Sequence, residues 1–166
     1  MKVYFSHGKE SGPWGSKIKR LADIAKNHGY SVDSIDYSEI LDPELRVERL
    51  INLLRNVEEE FLLVGSSMGG YVSLVASEHV NAKGVFLLAP ALFIQGYKQQ
   101  SYHCTNNIEI VHGWSDDVIS PENSIKFAQQ ANCSLHLIAG DHRLNSSMVE
   151  VEKLFSNFLL RFRSVG

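Results

Sequence analysis

Phe61-Leu62-Leu63-Val64-Gly65-Ser66-Ser67-Met68-Gly69-Gly70 is the stretch of this 166-residue chain that decides its fold. Four uninterrupted apolar residues suit a strand buried on both faces of a parallel sheet. A Gly-x-Ser-x-Gly spacing follows, placed where that strand ends and a helix begins. This context puts Ser67 on a sharp, strained turn, with flanking glycines letting backbone approach where a Cβ would clash. The turn exposes the Ser67 hydroxyl at the carboxyl end of the sheet. It also aims the Met68 backbone N–H and the helix N-terminus at any anion formed there, as a tetrahedral intermediate requires. Ser66 falls outside the glycine spacing and reads as a small packing residue.

Outward from this turn, short runs of Val, Ile, Leu and Phe alternate with longer amphipathic segments, the pattern of repeated βα units. Strands are predicted at Lys2–Ser6, Ser31–Tyr37, Glu60–Gly65, Lys83–Ala89, Asn107–His112 and Ser134–Ala139. Helical stripes recur at Leu50, Leu53, Leu54, Val57 and at Leu154, Phe155, Phe158, Leu159, Phe162. Asp42-Pro43 and Ser120-Pro121 each set a capping side chain before a first-turn proline, and Ser147-x-x-Glu150 has capping-box spacing. The expected architecture is a single three-layer α/β/α domain over residues 1–166, built on a six-stranded, mostly parallel sheet. One long irregular stretch, Pro90 to Asn106, interrupts the series.

Composition narrows the function classes. Hydrophobic residues at 44% and charged residues at 21% fit a soluble globular chain. With 16 Lys and Arg against 19 Asp and Glu, the net charge of −3 supplies no basic footprint for nucleic acid or an anionic membrane. No stretch reaches the ~20 apolar residues needed to span a bilayer, and the N-terminal apolar run is short for a signal peptide. A cytoplasmic location is expected. Cys104 and Cys133 lack CxxC spacing and read as reduced thiols. No His/Cys/Glu cluster has metal-ligand spacing, and Gly8-Lys9 lacks the rest of a P-loop, so no metal or cofactor is expected.

A serine hydroxyl needs a base, and the base needs a group that fixes its tautomer. After the fifth predicted strand comes His112-Gly113-Trp114-Ser115-Asp116-Asp117-Val118-Ile119-Ser120-Pro121, an acid-bearing loop. After the sixth comes Ala139-Gly140-Asp141-His142-Arg143-Leu144, which offers His142. Ser, then Asp, then His, each just past a strand, opens all three loops on one sheet edge.

Together these motifs resemble the α/β-hydrolase superfamily, in a minimal version lacking its first two strands. Tyr4-Phe5-Ser6-His7-Gly8 and Gly65-Ser66-Ser67-Met68-Gly69-Gly70 are similar to small esterases and thioesterases of the YqiA/YcfP-like type. That resemblance implies an oxyanion loop at His7-Gly8, with the Lys9 backbone N–H as second donor beside that of Met68. It also maps the triad acid to Asp116. Because Val118-Ile119-Ser120-Pro121 runs one residue longer than the superfamily's usual Val-Pro ending, Asp117 stays open as the alternative.

Most of the seven histidines need no chemistry. His7 and His112 precede glycines at strand ends and suit support roles, while His28 and His79 fall near helix C-termini. His103 and His136 lack the placement of a base. Asp141 either tunes His142 or is solvated. The expected function is hydrolysis of a small-molecule ester or thioester through an acyl-enzyme on Ser67. A peptidase or amidase on the same scaffold and a noncatalytic binding protein are the alternatives. Only residues 91–106 are available as a lid, which implies a small acyl pocket open to solvent.

Overall fold

The computed structural model describes residues 1–104 and 107–163. Its elements run β1 (Lys2–Ser6), α1 (Ser16–Asn27), β2 (Ser31–Ile35), α2 (Pro43–Leu54), β3 (Phe61–Ser66), α3 (Met68–Ser77) and β4 (Gly84–Leu88). They continue with β5 (Asn107–Gly113), α4 (Pro121–Ala131), β6 (Ser134–Ile138), a helical turn at Asn145–Ser147 and α5 (Met148–Leu160). The six strands form one sheet in the order β2-β1-β3-β4-β5-β6, and every pairing is parallel.

Strand alternation divides the core between the two faces. Val3, Phe5, Leu62, Val64, Phe86 and Val111 pack with Leu21 of α1 and Phe155 and Phe158 of α5. Tyr4, Leu63, Val85 and Ile110 pack with Leu50 of α2, Val72 of α3 and Phe127 of α4. Chain order reverses direction between β1 and β3, the switch point at whose carboxyl edge open α/β sheets place their ligands. The loop after β1 and the turn after β3 meet at that edge.

Several local expectations are corrected. β2 stops at Ile35 rather than Tyr37, because its partner β1 ends at Ser6, opposite Ile35. Tyr37 instead donates its N–H to His7 Nε2 at 2.9 Å, and its hydroxyl meets Ser6 Oγ at 2.9 Å. β3 is shifted one residue along, to Phe61–Ser66. β4 ends before Ala89, whose φ of 41° leaves extended geometry. α2 ends at Leu54, so Val57 lies beyond it, and Leu53 is exposed rather than part of the buried stripe.

Both proline-start caps form: Asp42 accepts from Glu44 N–H at 2.8 Å and Ser120 from Glu122 N–H at 3.3 Å. The capping box at Ser147 does not form. Its hydroxyl donates to Ala139 O instead and ties the start of α5 to the end of β6. Residues 105 and 106, the end of the predicted irregular stretch, lie outside the described residues.

Candidate active site

Ser67 occupies the turn between β3 and α3 at φ 55° and ψ −119°, a conformation costly for a side chain with a Cβ. Its surroundings fix it there. Ser67 N–H donates to Leu88 O at 3.0 Å, while Ser67 O accepts from Gly70 N–H at 2.9 Å and Ala91 N–H at 2.9 Å. Close approach demands the glycines: a Cβ on Gly69 would fall 2.0 Å from Ser6 O, and one on Gly65 2.2 Å from Gly69 O. All of α3 is buried, so the turn stands on a rigid platform.

His142 Nε2 lies 3.0 Å from Ser67 Oγ, and His142 Nδ1 lies 2.7 Å from Asp116 Oδ2. An ionised carboxylate only accepts, so Nδ1 carries the proton and Nε2 is left to accept from the Ser67 hydroxyl. The acid and histidine loops are clasped together. Trp114 N–H donates to Ile138 O and Ser115 N–H to Gly140 O, both at 2.9 Å. Asp141 is solvent-exposed, and its Oδ1 accepts from the Arg143 and Leu144 N–H groups, each at 3.1 Å. It builds the turn that presents His142.

Asp116 is buried among donors. Oδ1 accepts from Val118 N–H at 2.9 Å and Ile119 N–H at 2.8 Å, while Oδ2 also faces His112 Nε2 at 2.9 Å. Burial alone would raise its pKa, but hydrogen bonds from His142, Ile119 and Val118 outweigh that and hold the carboxyl below its ordinary value. Asp117 is exposed and outside this network. The structure thus brings Asp116 to His142 and leaves Asp117 in solvent.

His112 and His7 support the site. His112 Nε2–H donates toward Asp116 and Ile119 O, leaving Nδ1 to accept from Ser124 Oγ at 2.7 Å. His7 Nδ1–H donates to Gly8 O at 2.8 Å. Burial lowers the pKa of both rings, which suits neutral imidazoles in these roles. The loop after β1 stands directly against Ser67, since a Cβ on Gly8 would lie 3.5 Å from Ser67 Cβ. Among the described residues, the Lys9 and Met68 N–H groups donate to no protein acceptor.

Sequence reasoning missed two cations. Lys17, on α1, feels Asp141, Arg143 and Asp116, and burial brings its pKa down to about 8. Arg46, on α2, is fully buried. Both lie on amphipathic helices, where a basic residue reads as part of the solvated face and no local pattern marks it otherwise.

Residues 90–104 are strapped down rather than free. Glu44 Oε1 accepts from Lys98 N–H and the Tyr71 hydroxyl, Glu78 Oε1 accepts from His103 N–H, and Asn123 Nδ2 donates to Leu92 O. Ala91 and Leu92 are buried. Exposed apolar surface beside the site belongs instead to Trp114 and Val118, at 58% and 65%, flanking Asp116. Among the described residues no group of three or more His, Cys, Asp or Glu could hold a metal, and no helix is long and apolar enough to cross a membrane.

A parallel sheet carrying a serine on a strained strand-to-helix turn, with acid and histidine loops following later strands, defines an α/β-hydrolase fold. Residues 1–102 match the uncharacterised protein family UPF0227, and the chain belongs to that family. It is similar to a candidate hydrolase of the alpha/beta superfamily from Xanthomonas campestris pv. campestris, at 27% identity and a TM-score of 0.89, covering 97% of this chain and 99% of that one. Est1E from Butyrivibrio proteoclasticus shares the fold at 16% identity and a TM-score of 0.80, covering 96% and 87% of the two chains. A lidless a/b serine hydrolase from Xanthomonas campestris does so at 14% identity and a TM-score of 0.68, over 99% and 84%. No curated protein matches the chain.

Proposed function

We propose that this protein hydrolyses small carboxylic esters or thioesters through an acyl-enzyme on Ser67. The observation that carries the reading is the unbroken relay Ser67 Oγ–His142 Nε2, 3.0 Å, and His142 Nδ1–Asp116 Oδ2, 2.7 Å. As Ser67 Oγ attacks the carbonyl carbon, its proton passes to His142 Nε2, and Asp116 stabilises the imidazolium without taking the proton. The tetrahedral oxyanion is met by the Lys9 and Met68 N–H groups. Collapse expels the alcohol or thiol, protonated by His142. Water, deprotonated by the same nitrogen, then attacks the acyl-enzyme and releases the acid and free Ser67.

A small acyl group fits this site best. The anchored 90–104 segment favours a shallow, open cleft, and Trp114 and Val118 offer it an apolar rim. Hydrolysis of p-nitrophenyl esters tests this. Turnover should fall from acetate to octanoate and vanish in Ser67→Ala; a rise with chain length, or activity retained in that variant, would overturn the reading.

A further inference from the structure

Arg46 is 0% exposed and lies beneath the loop that follows β1. Its Nε donates to Ile40 O at 2.6 Å, and Nη1 donates to His7 O at 3.2 Å and Gly8 O at 3.1 Å. The guanidinium lies over the Tyr37 ring, 5.3 Å from its centroid. Nη2 has no hydrogen-bond partner among the described residues, and Arg46 makes no ion pair among them. A buried cation without a counter-ion is expensive to hold. What it touches therefore matters, and it touches the carbonyls of the two residues that precede Lys9.

A trans peptide points its C=O and its N–H in opposite directions, and no cis bond is present among the described residues. Gly8 O accepts from both Arg46 Nη1 and His7 Nδ1–H. The Gly8–Lys9 peptide is thus pinned with its carbonyl toward Arg46 and its N–H facing away. The same loop abuts the nucleophile, since a Cβ on Gly8 would lie 3.5 Å from Ser67 Cβ and 3.6 Å from Ser66 O.

We infer that Arg46 is a positioning residue: it locks the Gly8–Lys9 peptide so that Lys9 N–H is presented to the oxyanion formed at Ser67, and its charge polarises that peptide into a stronger donor. The inference rests on the serine-hydrolase reading. It assigns Arg46 no contact with substrate. Loss of Arg46 therefore weakens transition-state binding and leaves ground-state binding nearly intact.

The test compares wild type, Arg46→Met and Arg46→Lys on p-nitrophenyl acetate, with benzeneboronic acid as a tetrahedral mimic and Ser67→Ala as the control. Arg46→Met should lower kcat by about 10- to 100-fold, as expected for a displaced oxyanion donor, with KM within about twofold. Boronate affinity should fall in step with kcat/KM, and Arg46→Lys should recover part of both losses. Wild-type kcat and boronate affinity in folded Arg46→Met, beside Ser67-dependent turnover in the wild type, would overturn this inference alone. Absence of Ser67-dependent turnover in the wild type would overturn the hydrolase reading and this inference with it. If the methionine variant does not fold, Arg46→Lys decides. A lower kcat at unchanged KM supports the inference, and unchanged kcat overturns it.

Discussion

Replacing Asp116 by Asn changes one atom and should nearly abolish turnover. Oδ1 accepts from the Val118 and Ile119 N–H groups at 2.9 and 2.8 Å, so an amide NH2 placed there would meet two donors. The asparagine therefore keeps its oxygen at that position and turns its NH2 toward His142 Nδ1 and His112 Nε2. His112 can move its proton to Nδ1, where Ser124 Oγ can accept as readily as donate, at the loss of its Nε2–H bond to Ile119 O. His142 cannot adjust without loss. To accept at Nδ1 it must carry its proton on Nε2, where it can no longer take one from Ser67. A wrong tautomer of this kind costs about 10⁴-fold in kcat in a Ser-His-Asp enzyme, roughly 5.4 kcal/mol of barrier. Steady-state hydrolysis of p-nitrophenyl acetate by Asp116→Asn and Asp117→Asn reads the effect directly. Exposed Asp117 should change kcat by less than about twofold. If Asp116→Asn kept more than about a tenth of wild-type activity, or if Asp117→Asn were the dead variant, the reasoning would be refuted.

The same carboxyl sets an acid limit on stability. Its folded pKa lies below the ordinary ~3.9, so its contribution is fully present above about pH 4 and is lost as pH falls through the lower folded value. Urea unfolding across this range should show a flatter acid limb for Asp116→Asn than for wild type, and parallel limbs would count against the network. Gly69→Ala would drive a Cβ to 2.0 Å from Ser6 O, in backbone that cannot yield cheaply, and should cost ~3 kcal/mol or more. An unchanged urea midpoint would contradict the packing described for the Ser67 turn. Burial, aided at Cys104 by Glu78, pushes the Cys104 and Cys133 thiols up to about 12 and 11. Iodoacetamide at pH 8 should therefore modify the native protein far more slowly than the urea-unfolded chain. Equal rates would show both thiols to be accessible and ionisable.

The parts legible from sequence were those encoded locally. Phe61 to Val64 suited a doubly buried strand, and the glycines around Ser67 announced a turn that no larger residue tolerates. Chain order then placed Asp116 and His142 on the same edge. Choosing between Asp116 and Asp117 took three dimensions, because the choice depends on which carboxylate the Val118 and Ile119 N–H groups and His112 enclose. The end of β2 was hidden for a similar reason: Asp36 and Tyr37 continue the strand pattern, but β1 offers no partner beyond Ser6. Ser147 was misassigned because a hydroxyl at a cap position has several acceptors within reach, and Ala139 O, distant in sequence, captured it. Arg46 left no local signal, since its partners His7 and Gly8 lie far away along the chain.

Intact-mass analysis after treatment with a fluorophosphonate, on wild type and Ser67→Ala side by side, tests the central claim most directly. A single adduct on the wild-type chain that is absent from the variant is the predicted result, since only an activated hydroxyl reacts so selectively. A folded wild-type protein that takes no label, or a variant labelled equally, would contradict the assignment of Ser67 as a nucleophile poised by His142 and Asp116.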